Sequence, residues 1–173
     1  MIKLRPAKSS EYATIALLHA ASWQKTYRGI MSNTFLDNDV ERVLLKRWHE
    51  KMNSSVINQE IIVAVQEDNI IGFSCLYLDD DITYGSLLDN LHVSQHNQNS
   101  GVGKLLMKNC ADLILNKSKM NKMYLWVFEA NMNARRVYER LGGLNVEIIS
   151  TQNEDETEAR VCRYIWEDIN TLI

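Results

Sequence analysis

The sequence contains one proline and seven glycines among its 173 residues. The proline is Pro6, and no tract rich in proline, glycine or repeated residues interrupts the chain. Such tracts mark the linkers between domains, so their absence argues against a domain boundary. Because 46% of the residues are hydrophobic, a chain of this length can bury a substantial core. We therefore expect one globular domain that spans residues 1–173.

Cysteines and long apolar runs are equally scarce. Cys75, Cys110 and Cys162 are odd in number and widely separated. This pattern predicts neither a disulfide framework nor a zinc site, and it favours a reducing, cytoplasmic compartment. No stretch approaches the roughly 18 apolar residues of a membrane-spanning helix, and no apolar run follows the first residues as in a signal peptide. We therefore expect a soluble, unprocessed protein without a membrane partner.

The sequence also lacks a large excess of one charge. Its 19 lysines and arginines stand against 22 aspartates and glutamates, for a net charge of -3 at pH 7. Such a chain lacks the positive field that attracts phosphate polymers, so nucleic acid is not expected as its main partner. The histidines His19, His49, His92 and His96 are not spaced as a ligand cluster, so no metal is expected.

Hydrophobic periodicity predicts a chain in which helices and strands are mixed. The expected strands cover residues 2–4, 61–65, 70–78, 87–93, 124–128, 144–150 and 160–167. The expected helices bury four apolar stripes: Ile15, Leu18 and Ser22; Val40, Val43, Leu44 and Trp48; Val102, Leu105, Leu106, Cys110, Leu113 and Ile114; and Ala134, Val137, Tyr138 and Leu141. Asp68 and Asn69 separate the second and third strands as in a hairpin. The order indicates an α/β fold.

The segment Gln98–Lys104 lies where a predicted strand ends and a predicted helix begins. Free backbone N–H groups and the positive end of the helix dipole make such a junction an anion site, and glycines let a phosphate approach the backbone. Taken alone, the two glycines are a weak signal, and a flexible turn before a helix is the more common explanation of such a pattern. Two other phosphate motifs fail, because a dinucleotide fingerprint needs glycine at Leu106 and a Walker loop needs serine or threonine at Leu105.

Two blocks of residues carry a resemblance to a known family. The first is Gln98, Gly101 and Gly103 after the strand end Leu91, His92 and Val93; the second is Val127, Asn131, Ala134, Tyr138 and Gly142. Their spacing resembles the signature blocks of the GNAT family of acetyltransferases, and Ala21–Gly29 is similar to the first acceptor-side loop of many bacterial members. The resemblance covers nearly the whole chain. It implies an α/β GNAT fold, with a mixed, mostly antiparallel sheet of about seven strands and about four flanking helices.

Three positions depart from the family pattern. Gln95 stands where a proline is usual, Asn99 where a glycine is common, and Gly143 where an aromatic residue often follows Gly142. None of these changes removes a side chain that the chemistry needs, but Asn99 bears on the tightness of the phosphate loop.

The resemblance implies acetyl-CoA as co-substrate and no metal. The residues expected at acetyl-CoA are Gln98, Asn99, Ser100, Gly101, Val102, Gly103 and Lys104 at the pyrophosphate, Leu91, His92 and Val93 at the pantetheine arm, and Asn131, Ala134 and Tyr138. Main-chain groups of Leu91 and Val93 would contact the arm and the thioester, while the His92 side chain can face either side of the sheet. Asn131 can contact the cofactor or cap the following helix.

By the same resemblance, Tyr138 is the expected general acid. The departing thiolate must take a proton, and ordinary pKa values of about 10 for tyrosine and about 8.5 for a thiol allow that transfer. A core tyrosine on an apolar stripe is the alternative. The attacking amine must lose a proton, and Asp89 and Glu129 are the carboxylates best placed to accept it. Both are alternatively ordinary strand-end charges, with ordered water as the base.

Trp23, Tyr27 and Tyr77 are expected to wall the pocket of the acceptor, although aromatic residues also form ordinary cores. The implied function is an N-acetyltransferase that acts on a primary amine of a small molecule, a peptide N-terminus or a protein lysine, by direct attack in a ternary complex. A non-catalytic acyl-CoA-binding sensor with the same fold is the main alternative, and an enzyme for longer acyl-CoA a weaker one. Edge strands commonly pair between subunits in this fold, so a homodimer is also expected.

Overall fold

The computed structural model describes residues 1–172, and one sheet of seven strands forms its centre. The strands are β1 (Lys3–Pro6), β2 (Gln59–Gln66), β3 (Asn69–Asp81), β4 (Gly85–Val93), β5 (Met123–Phe128), β6 (Leu144–Gln152) and β7 (Glu158–Trp166). Their order is β1-β2-β3-β4-β5-β7-β6, and all neighbours are antiparallel except β4 and β5. The expected mixed, mostly antiparallel sheet is confirmed.

Five α-helices flank the sheet in the described part of the chain. They are α1 (Tyr12–Thr26), α2 (Asn33–Asn38), α3 (Val40–Asn53), α4 (Val102–Lys117) and α5 (Met132–Arg140), with 3-10 turns at Ser9–Glu11, Gln95–Asn97 and Ile169–Leu172. The sequence does not predict α2. This helix has six residues, and the Ser32 hydroxyl caps it by accepting a hydrogen bond from the Phe35 N–H. It is too short to show a helical period. Within residues 1–172 no helix is both long and apolar enough to cross a membrane.

The helices cover both faces of the sheet. On one face, α1 and α3 bury Ile15, Leu44 and Trp48 against Phe73 of β3. On the other face α4 crosses β2, β3 and β4, and its buried residues are Val102, Leu106, Met107, Cys110, Ala111 and Ile114. Each side of the sheet therefore has its own hydrophobic core.

Two residues of the predicted helical stripes are exposed. Leu105 is 38% exposed and Val137 is 40% exposed. One residue turns a helix by about 100°, so Leu105 lies away from the face that Leu106 and Cys110 share, and Met107 and Ala111 fill that face instead. Val137 borders the open cleft between α5 and β4.

The two central strands, β4 and β5, separate from each other. They pair at only two positions in the described structure, Ser86 with Met123 and Leu87 with Tyr124. Both strands continue beyond these pairs without further contact along the ladder. One edge of β4 is therefore left with unpaired backbone N–H and C=O groups up to Val93.

A bulge bends β4 where it leaves its neighbour. Cys75 of β3 pairs with Asn90, while Leu76 pairs with Leu88, so Asp89 is an extra residue without a partner. A bulge of this kind increases the local twist and re-aims the side chains that follow. The gap between β4 and β5 opens at this point.

The end of α5 is fixed by a close contact with β7. Gly142 has φ of 83°, as is common after a helix. A Cβ atom on Gly143 would lie 2.7 Å from Trp166 Cζ2, and the Trp166 indole N–H donates to the Leu141 carbonyl at 2.8 Å. The aromatic residue that is usual after Gly142 in the family has no room here, because Trp166 occupies the space.

Candidate active site

A cleft of about 1010 Å³ fills the gap between β4 and β5. Its walls are formed by the ends of β4 and β5, by helices α1 and α5, and by the loop before α4. The predicted site residues that border it are Trp23, Tyr27, Asp89, Leu91, His92, Val93, Gln98, Asn99, Gly103, Asn131, Ala134 and Tyr138. Ser100, Gly101, Val102, Lys104, Glu129 and Tyr77 do not border it. The volume suits a large, extended ligand.

The loop before α4 presents a row of open backbone donors. No N–H group of residues 99–104 has a hydrogen-bond acceptor within residues 1–172. The first turn of α4 adds the positive end of its dipole. Ser100, Gly101, Val102 and Lys104 are therefore relevant through their main chain rather than through their side chains. Such a cradle fits a pyrophosphate.

Two residues of this loop adopt the left-handed conformation. Gly101 has φ of 88° and Asn99 has φ of 61°. Asparagine is one of the few residues besides glycine that adopt this conformation readily. The departure at Asn99 from the family's glycine therefore preserves the shape of the loop.

Tyr138 projects from the last turn of α5 toward the cleft. Its ring centre lies 5.9 Å from that of Tyr164 and 6.2 Å from that of Trp166. Its hydroxyl makes no hydrogen bond to the described residues and is not among the enclosed polar atoms. Burial of the ring raises the pKa of Tyr138 to about 12. The hydroxyl is therefore a protonated donor at neutral pH that is open to a ligand.

Asn131 caps α5, which is one of the two roles open to it from the sequence. Its Oδ1 accepts a hydrogen bond from the Ala134 N–H at 3.2 Å. Its Nδ2 group has no partner among the described residues, and the side chain borders the cleft. Capping and contact with a cofactor are compatible, since they use different atoms.

The two candidate carboxylates are both held in ion pairs. Asp89 Oδ2 lies 2.6 Å from Lys51 Nζ, and Glu129 Oε2 lies 3.2 Å from Arg160 Nε. Lys51 Nζ also lies 5.4 Å from the ring centre of Tyr77, which places Tyr77 beside this ion pair and outside the cleft. Each carboxylate therefore has one oxygen engaged by a cation.

Aromatic and polar side chains form the opposite end of the cleft. The Tyr27 ring packs edge-on against Phe128 at 4.7 Å and lies 5.6 Å from Trp23. Burial raises the pKa of Tyr27 above its ordinary range. The His92 side chain faces α1, where its Nδ1 lies 2.9 Å from Ser22 Oγ. The question of which face His92 occupies is thereby settled.

Three cations at the cleft were not predicted from the sequence. Lys25 of α1 and Arg136 and Arg140 of α5 border it, and none of the three forms an ion pair with a described carboxylate. Arg136 and Arg140 are spaced i, i+4 and so share a helix face. The sequence shows this spacing on either side of Tyr138, and the two arginines could have been predicted from it.

No group of three or more His, Cys, Asp or Glu side chains within residues 1–172 is arranged to hold a metal ion. Cys75, Cys110 and Cys162 are buried free thiols.

The open edge of β4, the loop before α4 and Tyr138 meet at one cleft. The family model described as "Acetyltransferase (GNAT) family" matches residues 15–143, which include all these features. The chain therefore belongs to the GNAT family of acetyltransferases, and the expected family and acyltransferase class are confirmed.

Several curated relatives are N-acetyltransferases by name. The uncharacterized N-acetyltransferase YuaI of Bacillus subtilis strain 168 is 23% identical over 133 residues, which cover 76% of this chain and 74% of that protein. Spermine/spermidine N(1)-acetyltransferase of the same strain is 31% identical over 81 residues, which cover 44% of this chain and 53% of that protein. The match thus spans about half the length of that second relative.

Solved structures share the fold over nearly the full chain. PaiA N-acetyltransferase from Thermoplasma acidophilum, in complex with coenzyme A, has a TM-score of 0.74 at 17% identity and covers 94% of this chain and 98% of its own. YncA from Salmonella typhimurium, with its cofactor acetyl-CoA, has a TM-score of 0.68 at 14% identity and covers 96% of this chain and 93% of its own. At these identities the likeness establishes the fold.

Proposed function

We propose that the chain is an N-acetyltransferase that transfers the acetyl group of acetyl-CoA to a primary amine by direct attack in a ternary complex. The amine belongs to a small molecule, a peptide N-terminus or a protein lysine. The observation that carries this proposal is that Asn99 and Gly103 of the anion cradle border the same cleft as Tyr138.

The residues of the cleft fit acetyl-CoA. The N–H groups of residues 99–104 would hold the pyrophosphate, and Arg136 and Arg140 would add positive charge beside the phosphates. The unpaired edge of β4, at Leu91 and Val93, would offer main-chain groups to the pantetheine arm. A Cβ atom on Gly103 would lie 3.8 Å from the Val93 side chain, so glycine leaves this part of the wall free for the arm.

Tyr138 would act when the acetyl group passes from the sulfur to the amine nitrogen. The amine nitrogen forms a bond to the carbonyl carbon, and the carbon–sulfur bond then breaks. The protonated Tyr138 hydroxyl donates to the sulfur as negative charge develops there. Its pKa of about 12 keeps it protonated until that moment.

A non-catalytic acyl-CoA sensor is the second candidate, and one observation favours it. Both candidate bases, Asp89 and Glu129, are held in ion pairs, and Glu129 does not border the cleft. A sensor would bind acetyl-CoA in the same cradle without turning it over.

Turnover separates the two candidates. The purified chain is incubated with acetyl-CoA and a panel of primary amines, including spermine because one relative is named for it. Thiol release and the mass of the acetylated amine are measured, and other acyl-CoA chain lengths compete in parallel. We expect product with at least one amine. Binding of acetyl-CoA without product from any amine supports the sensor, and a folded chain that does not bind contradicts both.

We also propose that residues 1–173 form one domain, that the chain forms a homodimer and that the protein is cytoplasmic. The edge strand β6 pairs only with β7 in the described structure, and it exposes Leu144, Val146, Ile148 and Ile149. A second copy that pairs with β6 would cover this apolar edge. Light scattering is expected to give a dimer mass for the native chain and a monomer mass for Val146→Lys; a monomeric native chain contradicts it. Buried free thiols are consistent with the cytoplasm.

A further inference from the structure

Two histidines and a serine lie together on the inner wall of the cleft. Ser22 Oγ lies 2.9 Å from His92 Nδ1. The rings of His92 and His19 have centres 4.2 Å apart and planes inclined by 37°. All three residues border the cleft, next to Tyr27 at the end where the acceptor would enter.

His19 has a fixed protonation state. The Trp48 indole N–H donates to His19 Nδ1 at 3.0 Å. An indole nitrogen can only donate, so His19 Nδ1 carries the lone pair and the neutral ring bears its proton on Nε2. That Nε2 group is enclosed and has no hydrogen-bond partner among the described residues, and His19 itself is 1% exposed. His19 therefore holds an unpartnered donor at the wall of the cleft and cannot itself accept a proton.

His92 has one engaged nitrogen and one open nitrogen. Nδ1 is hydrogen-bonded with Ser22 Oγ. Nε2 makes no hydrogen bond to residues 1–172 and is not among the enclosed polar atoms. Nε2 is therefore accessible from the cleft. His92 also lies between Leu91 and Val93, the strand end that is proposed to hold the thioester arm.

We infer that His92 is the catalytic base, which accepts the proton of the attacking amine at Nε2, and that Ser22 and His19 position its ring. This inference rests on the proposed function, because a sensor would need no base. It explains how a cleft whose carboxylates Asp89 and Glu129 are paired with cations can still deprotonate an amine.

Burial keeps both imidazoles neutral, and nearby cations add to this effect at His19. Burial lowers the pKa of His92 to about 4. Burial, His92 and the nearby cations Arg47 and Lys51 of α3 lower the pKa of His19 well below its ordinary value. From β3, His92 faces the uncharged ring of Phe73, with centres 5.4 Å apart. A neutral His92 has a lone pair available throughout the neutral pH range.

His92, Ser22 and Tyr138 together account for the proton transfers of the reaction. The acceptor ammonium first releases one proton to solvent. The neutral amine nitrogen then bonds to the carbonyl carbon, and the carbonyl π electrons move to the oxygen. His92 Nε2 removes one N–H proton, and the ring becomes an imidazolium. Ser22 Oγ accepts the hydrogen bond that the Nδ1–H of this imidazolium donates. The oxygen electrons return, the carbon–sulfur bond breaks, and Tyr138 donates its proton to the sulfur. Transfer from His92 through solvent restores Tyr138, so the products are an amide and a free thiol.

Substitution of His92 tests the inference directly. His92→Gln is expected to lower kcat/KM by about 100-fold, the scale of general-base catalysis, while its acetyl-CoA affinity in calorimetry stays that of the native chain. The matched control is His49→Gln, because His49 is an exposed histidine on α3 outside the cleft. Ser22→Ala is expected to cost about tenfold, whereas Ser22→Thr, which keeps the hydroxyl, retains most of the rate.

Two readouts distinguish a base from a residue that only supports the fold. The loss in His92→Gln should grow with the basicity of the amine, because the ammonium of a more basic amine gives up its proton less readily. Added imidazole should restore part of the activity of His92→Ala. An equal loss for every amine, together with no effect of imidazole, overturns the inference.

The outcomes also separate this inference from the proposed function. Product formation by the native chain together with a native rate in His92→Gln overturns the role of His92 and leaves the function in place. No product from the native chain with any amine overturns both.

Discussion

The two ends of the cleft present different parts of the chain to their ligands. At the cofactor end, the groups on offer are backbone N–H donors of residues 99–104 and the open edge of β4. At the acceptor end they are side chains: Tyr27 against Phe128, and His92 against Ser22. The cofactor end depends on the conformation of the main chain. The acceptor end depends on contacts between side chains of elements that are distant in the sequence.

This difference explains what each end can tolerate. At the proposed cofactor end we expect any side chain that permits the left-handed turns to be tolerated, since Asn99 adopts that conformation. At the proposed acceptor end we expect the identity of the side chain to matter, because Ser22 and His92 are 70 residues apart and meet only through the packing of α1 on β4. We expect substitutions at the two ends to separate binding from turnover.

Tyr138 lies where the two ends meet, and its removal should produce the largest effect. Tyr138→Phe is expected to lower kcat by about 100-fold, since the sulfur loses its proton donor, and to leave the Kd of acetyl-CoA nearly unchanged. Steady-state kinetics and calorimetry measure the two quantities. Tyr12→Phe is the control, because Tyr12 lies at the start of α1 and away from the cleft. Native turnover in Tyr138→Phe would remove Tyr138 from the mechanism.

The acceptor end should be sensitive to acid, whereas the backbone cradle has no group to titrate. An unfolded histidine titrates near pH 6.5, and the folded pKa of His92 is about 4, so the unfolded state binds more protons between these values. The free energy of unfolding should therefore fall as pH falls through this range, by up to about 1.4 kcal/mol per pH unit for each such histidine.

Urea denaturation between about pH 7 and pH 5 measures this dependence. His92→Gln should flatten the curve by the share of one histidine. The Glu11 carboxyl, whose pKa an ion pair with Arg5 lowers to about 2, contributes only at lower pH. A native curve that is flat over this range would contradict a neutral, buried His92.

The cofactor end should respond to a change of backbone conformation. Gly101→Ala places a side chain at φ of 88°, which costs about 1–2 kcal/mol in that region and should weaken acetyl-CoA binding about tenfold. Gly29→Ala is a close match, because Gly29 has φ of 81° and equally open surroundings but does not belong to the loop. If both variants bind acetyl-CoA as the native chain does, the conformation of the loop is not what binds the pyrophosphate.

The exposed arginines of α5 should contribute least. The double change Arg136→Ala and Arg140→Ala is expected to raise the Kd of acetyl-CoA about threefold to tenfold at low salt and less at high salt, because exposed charges are screened. Arg42→Ala on α3 is the control, since Arg42 pairs with Asp39 outside the cleft. An effect that does not depend on salt would indicate a structural role.

The same division determines how much could be predicted from the sequence. The cofactor end follows from local signals, because glycine spacing, a strand end and a helix start are consecutive in the chain. The sheet and four of the helices follow from apolar periodicity. The short helix α2 depends on the Ser32 cap and lacks a period, and the exposure of Leu105 depends on which face α4 turns toward the sheet.

The acceptor end could not be derived in this way. The β4 bulge at Asp89 decides which side chains face α1, and a single sequence shows no sign of it. The pairing of Asp89 with Lys51 joins residues 38 positions apart, so the carboxylate could be recognised as a candidate base but not as one already engaged. The direction of His92 was likewise fixed only by the packing of β4 against α1.

Calorimetric titration with acetyl-CoA, with CoA for comparison, tests the central claim most directly, because it requires no knowledge of the acceptor. The account predicts saturable one-site binding with a Kd near the micromolar range, about -8 kcal/mol, and a weaker Kd for Gly101→Ala but not for Tyr138→Phe. A folded native chain that shows no binding to either ligand would contradict the claim that this cleft is an acetyl-CoA site.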